Sequence, residues 1–305
     1  MERYIEKDEI KRQLSGIMPP VVTPFDETGE IEPKKFRKEI EKMLSFGVSG
    51  ISVGGSTGEG QTLSDLELKQ LTEIAVETVN DKVPVIGGII TESTVQAVKK
   101  GKILKELGVK ALMVTPIHYL FSTGDTGIYQ FYSELKKQTE MPIIVYNVVP
   151  WNVASPAVLY RMAKEGIIIG VKQSGGDIHA LGELLSRAKD LMPIFTAIDD
   201  MMLPSFILGS VGAICAINTL LPRTSIRLFE AVRKGNISEA LTLHEKIIPI
   251  FKASLNEDMP AKIKFLMNNS GWDVGFARHP LSDPLGDKKK MLLDVANDVK
   301  HLEES

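Results

Sequence analysis

The sequence contains little cysteine and little histidine. It has one cysteine, Cys215, and five histidines among 305 residues. A single cysteine excludes an internal disulfide framework and is typical of a reducing compartment, so we expect a cytoplasmic protein. The histidines lie at positions 118, 179, 244, 279 and 301, without the spacing that zinc ligands share. We therefore predict no metal site.

The sequence also lacks long apolar runs and any strong excess of charge. No apolar stretch approaches the length needed to span a membrane. Residues 1–12 mix charges without an apolar core, so we expect no signal peptide. The formal net charge is −3, and no basic block is interleaved with aromatic residues. This pattern predicts neither a membrane nor a nucleic-acid partner.

What the sequence does contain is an alternation of apolar runs and amphipathic stretches. Hydrophobic residues make up 43% and charged residues 25% of the chain, as in a globular protein. Runs of strand length occur at 17–24, 50–53, 83–90, 111–114, 142–147, 167–172, 193–198 and 213–217. Helix starts are clearest at Pro33, at a capping box of Ser64 with Glu67, and at Ser155 before proline. Eight strand–helix units with short links predict an α/β fold, a (β/α)₈ TIM barrel.

The same pattern predicts three segments along the chain. Residues 1–16 form an N-terminal extension, residues 17–234 the barrel with the active site, and residues 235–305 C-terminal helices packed on the barrel. The predicted C-terminal helices are 236–254, 259–270 and 288–303, with a loop at 271–286 rich in glycine and proline. An open doubly wound sheet is the alternative, but no G-x-G-x-x-G follows the first strand.

The stretch 167–177 ends an apolar strand in Lys172, followed by turn residues that include Gly175 and Gly176. Active sites of TIM barrels lie at the carboxyl ends of the strands. Burial there disfavours the charged form of an amine, and a free amine can attack a ketone to form a Schiff base. The alternative is a structural lysine whose head group reaches water.

Other strand ends supply groups that suit the same chemistry. After the second strand, Gly54 to Glu59 form a glycine-rich turn whose amides and whose hydroxyls, from Ser56 and Thr57, suit an anion. Tyr146 ends the fifth strand and provides a phenol for proton transfer. The alternatives are an ordinary glycine turn and a packed tyrosine. Together with Lys172, these groups suit a 2-keto acid whose carboxylate is held by the turn.

Two further strand ends are less distinctive. His118 follows the fourth strand, where a histidine can equally decorate the surface. Asp199 and Asp200 follow the seventh strand, where carboxylates either bind substrate or favour the positive end of a helix dipole.

At this point the sequence resembles the dihydrodipicolinate synthase / N-acetylneuraminate lyase family of pyruvate-dependent class I aldolases, over about residues 16–300. The resemblance depends on five motifs, namely Pro19-Pro20-Val21-Val22-Thr23-Pro24-Phe25, Gly55-Ser56-Thr57-Gly58-Glu59, Val114-Thr115-Pro116, Tyr146-Asn147-Val148 and Gly170-Val171-Lys172. It implies a (β/α)₈ barrel with C-terminal helices, assembled as a homo-oligomer, a homotetramer of tight dimers.

The resemblance also implies roles for individual residues. Lys172 matches the Schiff-base lysine and Tyr146 the tyrosine that shuttles protons. Ser56 and Thr57, beside Gly55, match the pair that holds the pyruvoyl carboxylate and extends the proton relay. The implied substrates are a 2-keto acid and an aldehyde, with no cofactor beyond the covalent lysine.

Two departures from the family pattern bear on the substrate. Synthases of lysine biosynthesis carry an arginine shortly after Tyr-Asn-Val, whereas this sequence has Val149-Pro150-Trp151-Asn152-Val153. An apolar, aromatic replacement cannot form the bidentate bond that a carboxylate prefers, although Trp151 could line a pocket for an apolar aldehyde. His118, with Tyr119 beside it, falls where a relay tyrosine is expected, and a histidine can also pass a proton.

These features favour a Schiff-base lyase or aldolase for pyruvate or a 2-keto-3-deoxy acid, with Asp199 and Asp200 holding acceptor hydroxyls. The alternatives are a dihydrodipicolinate synthase, a keto-acid dehydratase that uses the same iminium, and a non-catalytic keto-acid-binding barrel.

Overall fold

Eight short parallel strands form the inner ring of the structure. The computed structural model describes residue 10 and residues 13–174, 177–254 and 258–304. The strands are β1 Gly16–Ile17, β2 Ile51–Val53, β3 Val85–Ile89, β4 Ala111–Val114, β5 Ile143–Asn147, β6 Gly170–Gln173, β7 Ile194–Thr196 and β8 Gly212–Ala213. Neighbouring strands pair in the order β1-β8-β7-β6-β5-β4-β3-β2. A parallel bridge between Pro20 and Ser52 joins the two ends, which closes the ring.

Helices cover the outside of the ring and continue after it. They are α1 Pro33–Ser45, α2 Asp65–Val79, α3 Thr94–Glu106, α4 Gly124–Thr139, α5 Pro156–Lys164, α6 Ile178–Ala188, α7 Met202–Leu208, α8 Ala216–Leu220, α9 Pro222–Arg233, α10 Ile237–Ser254, α11 Met259–Asn269 and α12 Gly286–Glu304. The prediction of a (β/α)₈ barrel with C-terminal helices is confirmed. Among the described residues, no helix combines the length and apolarity that crossing a bilayer requires.

Several helix starts follow the chemistry predicted from the sequence. Ser64 accepts the amide of Glu67, and Glu67 accepts the amide of Ser64 in return, so the capping box is present. Ser155 accepts the amide of Val158 before a proline at the first turn of α5. The C-terminal helices are tied to the barrel, because Glu303 of α12 accepts the amides of Arg223 and Thr224 at the start of α9.

Three predicted strands are wrong in their extent. The first covers two residues rather than 17–24, because prolines 19, 20 and 24 have no N–H to donate to a ladder. The sixth begins at Gly170 rather than 167, because Ile167 donates to Met162 O and Gly166 to Ala163 O, which closes the end of α5. The eighth stops at Ala213, since Asn218 accepts the amide of Cys215 and α8 begins there.

The core has two layers. The larger cluster lies between the ring and the helices. The smaller cluster fills the barrel interior and consists of Leu14, Met18, Ile86, Ala111, Met113, Ile144, Tyr146, Ile169, Phe195 and Ile214. Tyr146 is the polar member of this inner layer, at the carboxyl end of β5.

Candidate active site

Lys172 lies near the carboxyl end of β6 and is almost completely buried, at 4% exposure. In register it pairs with Tyr146 on β5 and with Phe195 on β7, both members of the inner cluster. Its Nζ lies 3.6 Å from the centroid of the Tyr146 ring. The amine is therefore inside the protein beside the phenol, and the alternative of a lysine reaching bulk water does not fit this placement.

Tyr146 connects the lysine to the glycine-rich turn. Its hydroxyl donates to Ser56 Oγ over 3.2 Å. Tyr146 and Lys172 meet because β5 and β6 are paired neighbours, and Ser56 reaches Tyr146 from the turn after β2. An amine, a phenol and a hydroxyl thus form a continuous chain of contacts.

The glycine-rich turn after β2 is fixed by packing and hydrogen bonds, but two of its backbone amides are available to a ligand. Thr57 is buried, and Gly54 has a φ of +71°. Thr23 Oγ1 donates to Gly58 O over 2.7 Å, and a Cβ on Gly58 would lie 2.7 Å from Val21 O. Within the described part of the chain, the amides of Ser56 and Thr57 donate to no protein acceptor. Free amides next to hydroxyls are the donors that an anion needs.

Asp199 lies in a 3₁₀ turn at Asp199–Met201, after β7. Its Oδ1 accepts the amide of Ile217 over 2.7 Å. Burial raises the pKa of Asp199 to about 6, while the Ile217 amide and the positive charge of Lys172 act in the opposite direction. The influence of Lys172 places this carboxyl within electrostatic reach of the amine. Asp200, next in the turn, adds to the rise by like-charge repulsion.

His118 and Trp151 contact each other, and in the described part of the chain no hydrogen bond or ion pair joins either of them to Lys172. The Trp151 indole donates to His118 O over 3.1 Å, and 55% of Trp151 is exposed. His118 Nδ1 lies 2.6 Å from Glu92 Oε1, an ion-pair distance without the alignment of a hydrogen bond. Glu92 also accepts the amides of His118 and Tyr119. The structure thus brings together Lys172, Tyr146 and Ser56, and places His118 and Trp151 in a separate cluster.

Two features of the site have no counterpart in the sequence predictions. Asn147 donates to Gln173 Oε1 and to Ala154 O, and accepts the Ala154 amide, which joins the ends of β5 and β6 to the loop after β5. In the sequence Asn147 directly follows Tyr146 and Gln173 directly follows Lys172, and these positions were a usable signal. The second feature is a buried pair between Glu59 and Lys264, whose Nζ and Oε1 lie 2.6 Å apart. A lysine inside an apolar helical pattern was its only signal.

Some predictions lie outside what the structure describes. Gly175 and Gly176, part of the turn after β6, are outside the described residues, as is most of the predicted N-terminal extension. Among the residues that are described, no group of three or more histidine, cysteine, aspartate or glutamate side chains is arranged to hold a metal ion.

Comparison with known proteins identifies the relatives of this chain. The model of the dihydrodipicolinate synthetase family matches residues 13–301. The 4-hydroxy-tetrahydrodipicolinate synthase of Thermodesulfovibrio yellowstonii is 34% identical over 285 residues, which cover 92% of this chain and 97% of that protein. The corresponding enzyme of Methanopyrus kandleri is 29% identical and covers 92% of this chain and 94% of its own length.

Solved structures give the same result. The dihydrodipicolinate synthase of Thermotoga maritima superimposes with a TM-score of 0.89 at 26% identity, covering 94% of this chain and 99% of the other. CdNal from Clostridium difficile, solved in complex with mannosamine, gives a TM-score of 0.85 at 26% identity, covering 94% and 98% of the two chains.

Proposed function

Because the chain belongs to the dihydrodipicolinate synthetase family, a family of class I lyases, we propose that it forms a Schiff base between Lys172 and pyruvate or a 2-keto-3-deoxy acid. The observation that carries this proposal is the contact of a buried lysine amine with the Tyr146 ring, 3.6 Å from its centroid, while the Tyr146 hydroxyl donates to Ser56. An amine, a proton donor and an anion-binding turn are the groups that this reaction requires.

In the proposed reaction, unprotonated Lys172 Nζ attacks the keto carbon C2, and the carbonyl oxygen takes up a proton to give a carbinolamine. Loss of that oxygen as water leaves an iminium, which withdraws electrons from C3. As the C3–C4 bond breaks, the proton of the C4 hydroxyl passes to the Tyr146 relay, an aldehyde leaves and an enamine remains. In the reverse direction the enamine attacks an aldehyde, whose oxygen takes a proton back from the relay. Protonation of the enamine at C3 and hydrolysis of the iminium return pyruvate and the free lysine.

Proton transfer is assigned to Tyr146. Its ring lies against the amine and its hydroxyl contacts Ser56, so a proton can pass between the carbinolamine oxygen and the Ser56 hydroxyl. The keto-acid carboxylate is assigned to the turn, where the free amides and the hydroxyls of Ser56 and Thr57 provide donors and Gly55 adds no side chain. We retain His118 as a proposed proton carrier only for a conformation in which its imidazole has moved away from Glu92.

The proposed acceptor aldehyde carries hydroxyl groups. Asp199, with a pKa raised to about 6 by burial, lies close enough to sense the charge of Lys172 and can accept hydrogen bonds from such groups, with Asp200 beside it. The loop after β5 opposes an acceptor that carries a carboxylate, because it presents the exposed Trp151 in place of a cationic side chain.

A second candidate is 4-hydroxy-tetrahydrodipicolinate synthase, which condenses pyruvate with aspartate semialdehyde. The names of both curated relatives described above favour it. The missing arginine in the loop after β5 opposes it.

We also propose that the protein is a homo-oligomer, a dimer or a tetramer. Light scattering of the purified protein measures this state.

Two experiments test the proposal. Pyruvate with borohydride should increase the intact mass by one reduced adduct per chain, and no adduct would favour a non-catalytic keto-acid-binding barrel. Assays of pyruvate with aspartate semialdehyde and of a panel of 2-keto-3-deoxy sugar acids then distinguish the candidates. Turnover of a sugar acid well above that of the semialdehyde is the expected result, and the reverse order would establish the second candidate.

A further inference from the structure

A buried ion pair connects the glycine-rich turn to the C-terminal helices. Glu59 ends the turn and Lys264 lies in α11, and their side chains are 0% and 1% exposed. We propose that this pair fixes the turn in the conformation that binds the keto-acid carboxylate, which makes Glu59 and Lys264 positioning residues. The inference rests on the proposed function and adds to it a role for the C-terminal helices in substrate binding.

Lys264 uses all of its hydrogen-bond donors within the protein. An ammonium group has three N–H donors. Lys264 Nζ has three acceptors: Glu59 Oε1 at 2.6 Å, Thr23 O at 2.5 Å and Phe276 O at 2.6 Å. No donor is left for a substrate or for chemistry, so the role of Lys264 is to hold other groups in place.

Both oxygens of the Glu59 carboxylate are also bonded. One oxygen of Glu59 accepts from Lys264, and the other accepts the amide of Arg278 over 2.9 Å. The backbone of Glu59 has a φ of +54°, in the left-handed region that non-glycine residues rarely occupy. Contacts at both oxygens hold the residue in this conformation, and the position of the preceding turn depends on it.

Lys264 reaches the glycine-rich turn by two routes. Directly, it binds Glu59, whose amide donates to Ser56 O over 3.1 Å. Indirectly, it binds Thr23 O, and the Thr23 hydroxyl donates to Gly58 O over 2.7 Å. The two attachment points on the turn are thus Ser56 O and Gly58 O, and Thr57 lies between them. A shift of α11 or loss of the pair is therefore transmitted to both sides of the proposed carboxylate site.

A role in stability alone is the competing explanation. Exchanging a buried ion pair for apolar groups is often neutral for stability, while removing one partner leaves an uncompensated buried charge. The two explanations differ in the dependence on pyruvate. A positioning role raises the pyruvate concentration needed for half-maximal trapping, whereas a structural role lowers only the unfolding midpoint.

The experiment compares wild type with Glu59→Gln, Lys264→Met, the double variant and a control, Glu303→Gln. Glu303 is a half-buried carboxylate that also ties a C-terminal helix to the barrel, but at the start of α9 rather than at the turn. Each protein is incubated with a series of pyruvate concentrations and borohydride. The half-saturating concentration and the maximal trapping rate are measured, together with the urea unfolding midpoint.

We expect half-saturation by pyruvate to rise about tenfold in the folded double variant and to stay within about twofold in Glu303→Gln. A folded double variant with wild-type half-saturation would overturn the positioning role. If that variant does not fold, Glu59→Asp is used instead, because it keeps the charge but shortens the side chain. An unchanged half-saturating pyruvate concentration in Glu59→Asp would also reject the positioning role. A wild type that traps no pyruvate would overturn the proposed function itself, and this inference with it.

Discussion

Lys172 and Lys264 are both almost completely buried, and they differ in what surrounds the amine. Lys264 gives all three N–H donors to acceptors, including a carboxylate. Lys172 has the Tyr146 ring against it and, within the described part of the chain, no hydrogen bond or ion pair to a protein acceptor. Both come from apolar sequence patterns and both are inaccessible to bulk water.

The difference shows that burial alone does not make a lysine a nucleophile. An ammonium group that donates all its N–H bonds, one of them to a carboxylate, is stabilised in the protonated form. Its nitrogen then has no lone pair with which to attack a substrate. Burial lowers the pKa of Lys264, but Glu59 acts against that change. An amine beside an aromatic face and a proton-carrying phenol keeps its bonding capacity for a substrate.

The strongest test of the comparison is the removal of Lys172. We expect Lys172→Ala to lower turnover by roughly 10⁵-fold, because the covalent step has no other amine to use. The unfolding midpoint should stay close to wild type, since Lys172 makes no ion pair in the described part of the chain. Substantial activity in the purified variant would show that the nucleophile lies elsewhere.

The phenol and the aromatic ring of Tyr146 can be separated. Tyr146→Phe keeps the ring against Lys172 but removes the hydroxyl that reaches Ser56. We expect kcat to fall by about 10²- to 10⁴-fold through loss of proton transfer, while borohydride still traps pyruvate on the enzyme. Steady-state kinetics and intact mass measure these two properties. A kcat within threefold of wild type would argue against a relay through Tyr146.

Removal of Lys264 tests the other half of the comparison. Lys264→Met leaves Glu59 as a buried, unpaired carboxylate, and we expect a loss of about 3–5 kcal/mol in the free energy of unfolding. Adding Glu59→Gln should restore part of that loss, because the uncompensated charge is gone. Urea titration of both variants measures the effect. Equal stability of Lys264→Met and wild type would mean that the pair contributes no net interaction.

Glu39 provides the unpaired counterpart of Glu59. One of its oxygens accepts the amide of Val22 over 2.9 Å, and the other has no hydrogen-bond partner among the described residues. Burial raises the pKa of Glu39 from 4.5 to about 8. The folded protein thus binds a proton that the unfolded chain releases above pH 4.5. This contribution to stability is full below that pH and is lost as the pH rises through about 8.

We therefore expect wild type to lose about 3 kcal/mol of stability between pH 5 and pH 8 relative to Glu39→Gln, whose neutral amide does not titrate. Paired urea titrations of the two proteins at both pH values cancel the other titrating groups. Parallel pH dependence of the two proteins would show that Glu39 is already ionised in the fold.

The sequence was sufficient for the architecture and for part of the site. Alternating runs and caps such as Ser64 with Glu67 are local signals, and they predicted the barrel. Lys172, Tyr146 and Ser56 were predictable because strand ends of a barrel converge. The residue at which a strand begins after a helix was not predictable. Ile167 is apolar enough for a strand, but its amide donates to Met162 O and so closes the end of α5.

Side-chain pairing across long separations was equally hidden. Glu59 and Lys264 are 205 positions apart, and only the packing of α11 against the turn brings them together. His118 falls on the expected relay position in the motif, yet its imidazole lies beside Glu92 because the loop after β4 is held through its own amides. The catalytic role of His118 remains a prediction, as do the substrate-binding roles of Asp200 and Trp151.

The most direct test of the account is peptide mapping of the wild-type protein after treatment with pyruvate and borohydride. The account predicts the reduced adduct on the peptide that contains Lys172 and none on the peptide that contains Lys264. An adduct on Lys264, or an adduct spread over surface lysines with Lys172 unmodified, would contradict it.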